Sequence, residues 1–348
     1  MPPLHTRQLG RSDLIVPEIC LGTMTFGEQT GEADAQAQLD HALAQGVNFI
    51  DTAEMYAVPP RAETFGETET IVGNWLRRQP RDRIILATKV AGPARSLTWI
   101  RNGPPALDRA NIRAAIEGSL RRLQTDYIDL YQLHWPERNQ PMFGQWQFDP
   151  AAERGGTPMG EQLEALGELV REGKVRHVGV SNEHAWGLMQ FVRLADETGR
   201  PRIVSTQNAY NLLNRSFETG LTEIAHREQI GLLAYSPLAF GHLSGKYLAD
   251  PKAAGRLTLW ASFGQRYTKP NVQPALLAYA ELAARHGLTL LQLALGFVRS
   301  RWFVASTIIG ASSLAQLKET LPATLTPLAP EILATIDDIH LRFTNPAP

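Results

Sequence analysis

Short apolar runs alternating with stretches of helical spacing predict an α/β fold, a closed (β/α)8 barrel of the TIM type with an N-terminal β-hairpin. Three observations carry this expectation. Eight strand patterns follow one another between residues 19 and 309, each succeeded by a helix pattern. The strands read as near-continuous apolar runs, as parallel strands covered on both faces do. A chain of 348 residues suits two average domains or one large barrel. No linker, charge block, low-complexity tract or solenoid repeat divides it, so one domain over residues 1–348 is expected.

Residues 6–16 read as two short strands about a turn at Gly10, a hairpin ahead of the main fold. The first barrel strand, 19–21, ends at Gly22, and the helix over 33–45 is stopped by Gly46. Strand 47–50 leads to a helix over 67–78. Strand 83–88 leads through a Gly- and Pro-rich loop, 91–105, to a helix over 109–123. Strand 128–133 is followed by a second long loop, 135–158, carrying Trp135, Phe143, Trp146 and Phe148. Those aromatics can line an apolar pocket or pack the loop onto the body. A helix over 160–171, strand 175–180, a helix over 184–196, strand 203–206, a helix over 217–228 and strand 231–234 continue the alternation. A third long loop, 238–272, precedes helices over 274–286 and 290–299. The last strand, 305–309, opens at Gly310 towards a helix, and a tail helix over 331–341 closes the chain. Long loops in compact folds are often lids or binding loops.

Chemistry in such a barrel sits at the C-terminal ends of the strands. Asp51 closes the second barrel strand and Tyr56 follows five residues on; Lys89 and His134 close the third and fourth. Together these four make a proton-donating constellation. A phenol titrates near ~10 and is a poor acid at neutrality, and a nearby ammonium favours its ionised form. Asp51 can hold Lys89 in place, and His134 can orient a carbonyl oxygen or assist proton transfer. Each residue also has a plainer reading. Asp51 can cap a turn, Tyr56 can pack the loop, Lys89 can be a surface charge and His134 a satisfied core histidine. Four such residues at equivalent strand ends favour the functional reading. Later strand ends carry Ser181, Asn182, Gln207 and Tyr235, a set that can bond a flat carboxamide and stack on a heteroaromatic ring. The same residues can equally be strand ends facing water. Lys246 and Arg256 offer cations in a loop, and Gly310 to Ser313 open a helix whose amides favour phosphate.

Composition is that of an ordinary globular protein, with 43% hydrophobic and 20% charged residues. A net charge of -1 creates no field attracting nucleic acid or anionic membrane. The single cysteine, Cys20, allows no disulfide within the chain and reads as buried packing, which fits a reducing compartment. The opening Met-Pro-Pro-Leu-His-Thr-Arg has no apolar signal core and no run reaches the length of a membrane span, so a cytoplasmic setting is expected. The stretch from Gly241 to Tyr247 echoes a phosphate-binding loop, but its glycine spacing is one short and Tyr replaces Ser/Thr. No G-x-G-x-x-G follows a strand, Gly179-Val-Ser181 lacks the second glycine of a nucleophile elbow, and the nine histidines show no metal-ligand spacing.

The four-residue constellation, Gly179-Val-Ser-Asn182, Tyr235-Ser-Pro-Leu238, Leu243-Ser-Gly-Lys-Tyr247 and Ile309-Gly-Ala-Ser312 occur in order and resemble the aldo-keto reductase superfamily over nearly the whole chain. Within it they are most like the branch of bacterial Tas-like proteins and potassium-channel beta subunits. The runs 120–127 and 211–217 look especially Tas-like. The resemblance implies an NADPH-dependent reductase of aldehydes or ketones without metal or flavin. Carried over by position, Tyr56 is the acid, Lys89 and Asp51 tune it, and His134 directs the carbonyl. Ser181, Asn182 and Gln207 hold the carboxamide, with Tyr235 stacked on the ring. Ser236, Pro237, Leu238, Gly241, Lys246 and Arg256 line the cofactor phosphates. Gly310, Ser312, Gln316 and Glu319 complete the adenosine pocket, and Thr23, Met24 and Gln29 join the wall. Many members carry a Lys-Ser pair and a later Arg where this chain has Gly-Ala-Ser-Ser and Gln316. A preference for NADPH over NADH (hence for NADP+ over NAD+) therefore rests on Lys246 and Arg256. Thr320 stands where the beta subunits have an asparagine. The implied substrate is a small carbonyl compound, with the loop aromatics favouring an apolar or aromatic one. Two other classes compete: a slow-turnover cofactor-sensing partner protein, which aldehyde turnover distinguishes, and a barrel lyase or isomerase of phosphorylated sugars, which needs no nicotinamide.

Overall fold

A computed structural model describes residues 3–94, 96–260 and 264–348. Met1 and Pro2 of the opening segment, Arg95 of the first long loop and residues 261–263 of the third lie outside the described residues. Strands β1 (Thr6–Gln8) and β2 (Ile15–Pro17) pair antiparallel as the expected hairpin. Eight parallel strands then close on themselves: β3 (Ile19–Gly22), β4 (Phe49–Asp51), β5 (Ile85–Val90), β6 (Ile128–Leu133), β7 (Val175–Ser181), β8 (Ile203–Ala209), β9 (Gly231–Tyr235) and β10 (Val304–Ile309). Each pairs with its sequence neighbour, and β10 returns to pair with β3 and close the ring.

Side-chain alternation along the strands sorts the core into two parts. Ile50, Leu86 and Leu133 face outward and join the cluster beneath the helices. Phe49, Ala87 and Leu130 face inward, where they meet Cys20, Val204, Leu233, Ala305 and Ile308. The hairpin supplies the floor of that inner cluster through Leu9, Leu14 and Val16. Gly10, at φ 59°, lets the turn press on β8; a Cβ there would stand 2.4 Å from the Val204 carbonyl oxygen. One pleat above Phe49, Ala87 and Leu130, at i+2, come Asp51, Lys89 and Gln132. The period of two thus sets a polar layer directly on an apolar one.

Several boundaries differ from expectation for local reasons. Lys89 lies inside β5 rather than after it, because the strand begins only once Arg83 has finished a 3-10 turn, Arg81–Arg83. The helix expected over 217–228 is interrupted at Gly220, whose φ of 97° separates a turn at Ser216–Glu218 from a helix at Leu221–Glu228. The third long loop contains two four-residue helices, Lys246–Ala249 and Arg256–Leu259. Among the described residues no helix is long and apolar enough to cross a membrane.

Gly10→Ala should lower the unfolding midpoint, by about 1–3 kcal/mol of stability, because it adds strain at a left-handed residue and a collision with backbone. Denaturant unfolding followed by circular dichroism checks this, with the slope expected to be unchanged.

Candidate active site

Asp51, the last residue of β4, is 2% exposed, and Lys89, on the neighbouring strand, is fully buried. Isolated charges at that depth would be costly, and the pair is held by several bonds. The Lys89 Nζ donates to Asp51 Oδ2 at 2.7 Å and to the Thr52 carbonyl at 2.8 Å. The other carboxylate oxygen accepts from Gln207 Nε2 at 2.9 Å and from Gln132 Nε2 at 3.4 Å. Burial pushes the Lys89 ammonium down, but Asp51 and Tyr56 outweigh it and hold it above its ordinary value. Lys89 is therefore a fixed cation.

Tyr56 lies in the loop after β4, with the Lys89 Nζ 5.0 Å from the centre of its ring. The expected acidification of this phenol is overturned. Burial raises it, and this outweighs the opposing pull of Lys89, so the net shift is upward. Tyr56 is therefore a protonated phenol rather than a phenolate. The His134 ring meets it edge to face, with centroids 5.6 Å apart. Burial lowers the His134 imidazole well below its ordinary value and Lys89 adds to this, so the ring is neutral at pH 7. Its Nδ1 is buried without a hydrogen-bond partner among the described residues.

A cavity of about 760 Å³ opens over this layer and extends past β7, β8 and β9 to the segment after β10. It brings together Asp51, Tyr56 and His134 with all the residues expected to hold a cofactor: Thr23, Met24, Gln29, Ser181, Asn182, Gln207, Tyr235, Ser236, Pro237, Leu238, Gly241, Lys246, Arg256, Gly310, Ser312, Gln316 and Glu319. Thr320 lines it as well, although the beta-subunit comparison gave no reason to include it. Lys89 stands behind the wall. The polar set is bonded among itself. Ser181 Oγ donates to the Gln207 carbonyl at 2.8 Å, the Tyr235 hydroxyl to Asn182 Oδ1 at 2.7 Å, and Asn182 Nδ2 to the His134 carbonyl at 2.9 Å. Ser312 donates through both its amide and its hydroxyl to Gln316 Oε1, at 3.1 and 3.0 Å.

The far end of the cavity suits an anion. Burial lowers Arg256, whose Nε is buried without a hydrogen-bond partner among the described residues. Lys246 is lowered by burial and then by Arg256, and its Nζ donates to the Ala254 carbonyl, at 3.1 Å. Neither cation forms an ion pair with a carboxylate among the described residues. Gly255 permits their approach, since a Cβ there would stand 2.2 Å from the Lys246 Nζ. Two adjacent cations without counter-charge, an orphaned donor, a run of amide and hydroxyl groups and an aromatic wall fit a dinucleotide with its phosphates at this end.

Of the loop aromatics, Trp135 is buried and lines the cavity; Phe143 also lines it but is exposed, as are Trp146 and Phe148, which do not line it. Several participants were not singled out in the sequence. Gln132 was findable, because it sits at i+2 from inward-facing Leu130. Arg266 and Phe240 lie in a long irregular loop and show no periodic signal, yet both line the cavity.

A family model described as the aldo/keto reductase family matches residues 18–340. Protein tas of Escherichia coli K12 is 50% identical over 347 residues, covering 99% of this chain and all of that protein. A protein named aldo-keto reductase from Babesia bovis is 38% identical over 279 residues, covering 76% of this chain and 98% of that protein. The NADH-specific methylglyoxal reductase of E. coli K12 is 29% identical over 334 residues, covering 90% and 92%.

His134 gives a pH signature. In the unfolded chain its imidazole titrates near 6.5 and in the fold well below. Its contribution is complete above about pH 6.5 and is lost as pH falls towards the folded value, where only the unfolded chain takes up the proton. Thermal midpoints should therefore fall more steeply from pH 7 to pH 5 in the wild type than in His134→Asn.

Proposed function

The chain belongs to the aldo/keto reductase family, and on that footing we propose that it reduces aldehydes and ketones to alcohols with NADPH, with Tyr56 as the general acid. One observation carries this reading. A protonated phenol faces a dinucleotide-sized cavity, with a buried ammonium behind it and a neutral imidazole at its edge.

The nicotinamide cofactor, when bound, supplies the hydride. Tyr56 gives its proton to the substrate oxygen as negative charge gathers there. The phenolate left behind is stabilised by Lys89, so the cation that is too weak to ionise free Tyr56 lowers the cost of the transfer itself. Asp51 keeps that cation in place and Gln207 and Gln132 keep Asp51 in place. Neutral His134 meets the carbonyl oxygen from the other side and fixes its direction. General acid catalysis of this kind contributes roughly 10²–10⁴-fold, and positioning within the cavity supplies much of the rest.

Ser181, Asn182 and Gln207 are assigned to the carboxamide and the Tyr235 ring to the nicotinamide face. Lys246 and Arg256 take the phosphates. One relative bears a name that specifies NADH, so the preference for NADPH rests on these two cations in this chain. The single cysteine, Cys20, is buried and its thiol is pushed well up by burial, which supports a reducing, cytoplasmic setting.

Tyr56→Phe should cut aldehyde reduction by at least about 10²-fold while leaving NADPH binding nearly intact. Steady-state assays on an aldehyde panel and a fluorescence titration check the two halves, and unaltered turnover would remove Tyr56 from its role. Lys246→Ala should weaken NADPH by on the order of tenfold and NADH less, read in side-by-side titrations.

A further inference from the structure

Arg266 is 9% exposed and lines the cavity. Two other well-buried arginines are matched by carboxylates: Arg215 by Glu218 at 2.7 Å and Asp337 at 2.8 Å, and Arg101 by Glu54. Arg266 has no such ion pair among the described residues. A buried guanidinium without a counter-charge is costly, and an anion arriving through the cavity would offset that cost.

The position of Arg266 says which anion. It stands beside Tyr235, whose phenol is raised by burial and pulled back by this cation. Its backbone packs against the second long loop: a Cβ on Gly144 would stand 3.1 Å from the Arg266 Cβ, and Lys269 Nζ donates to the Gly144 carbonyl at 3.0 Å. Phe143, the residue before Gly144, lines the cavity, as do Met55, Val58 and Trp135 around Tyr56 and His134. Lys246 is tied to the segment at Ala254 and Gly255, and Arg256 stands over the Phe240 ring, 4.8 Å from its centre. Arg266 thus lies beside Tyr235, the residue assigned to the nicotinamide face, and against the second long loop.

We propose that Arg266 recognises a carboxylate on the substrate, so that the chain acts on oxo acids whose carbonyl and carboxylate are joined by a short apolar spacer. This rests on the reductase reading above and names its substrate class. The planar guanidinium fork matches a carboxylate through two parallel bonds. The carboxylate takes no part in bond making. Hydride adds to the carbonyl carbon, the Tyr56 proton to its oxygen, and the acid group is carried through unchanged.

The test uses the full chain with NADPH. Aliphatic oxo acids with one to four carbons between the two groups, and 4-carboxybenzaldehyde, are each assayed against their methyl esters, with 4-formylphenyl phosphate as the phosphate arm. Wild type should prefer at least one acid over its ester by about 10- to 100-fold in kcat/KM, mostly through KM. Arg266→Gln should erase that preference while affecting the esters far less, and Arg266→Lys should recover part of it. NADPH affinity of Arg266→Gln should stay close to that of wild type, and its thermal midpoint should not fall below the wild-type value. The proposal is overturned if no acid is preferred, if acid and ester fall together, if NADPH binding weakens with the variant, or if only the phosphate is favoured. Trp135 fluorescence reports carboxylate binding independently of turnover. If acids bind in an Arg266-dependent way but no aldehyde is reduced with either nicotinamide, the reductase reading fails and the carboxylate site stands.

Discussion

The bond between Lys89 and Asp51 is the constraint on which the upper half of the barrel depends. Neither group tolerates that depth alone, and removing one partner of a buried pair costs about 3–5 kcal/mol. Satisfying them recruits the Thr52 carbonyl and the side chains of Gln207 and Gln132. Four strands are thereby cross-linked at one height, and the wall behind Tyr56 is fixed before any ligand arrives. That wall is preorganised: were the phenol to give up its proton, these dipoles would not need to turn.

The two ends of the cavity solve opposite problems. Near Tyr56 the surroundings are buried and the cation is paired, so the phenol stays protonated. At the far end neither Lys246 nor Arg256 has a carboxylate partner among the described residues, and burial lowers both. Two lysines, Lys89 and Lys246, thus differ in the direction of their shift and in pairing because their neighbours differ.

Much of this was legible in the sequence. The barrel was, because eight apolar runs in alternation with helical spacing leave few other closed arrangements. The four-residue set of Asp51, Tyr56, Lys89 and His134 was, since the fold places strand ends on one face. What escaped depended on depth and on loops. The upward shift of Tyr56 is a competition between burial and a neighbouring charge, and composition does not tell which is stronger. The break at Gly220 depends on a backbone angle that a periodic pattern passes over. Arg266 sits in a short 3-10 turn, Gln265–Thr268, and its lack of a carboxylate partner among the described residues is a fact about three-dimensional neighbours alone.

The hairpin at the foot of the barrel has a kinetic consequence. Leu9, Leu14 and Val16 close the foot of the ring with packed side chains, and the cavity lies at the opposite end, over the C-terminal ends of the strands. Two compounds sharing that cavity would share its mouth, so the deeper of the two would have to enter first and leave last.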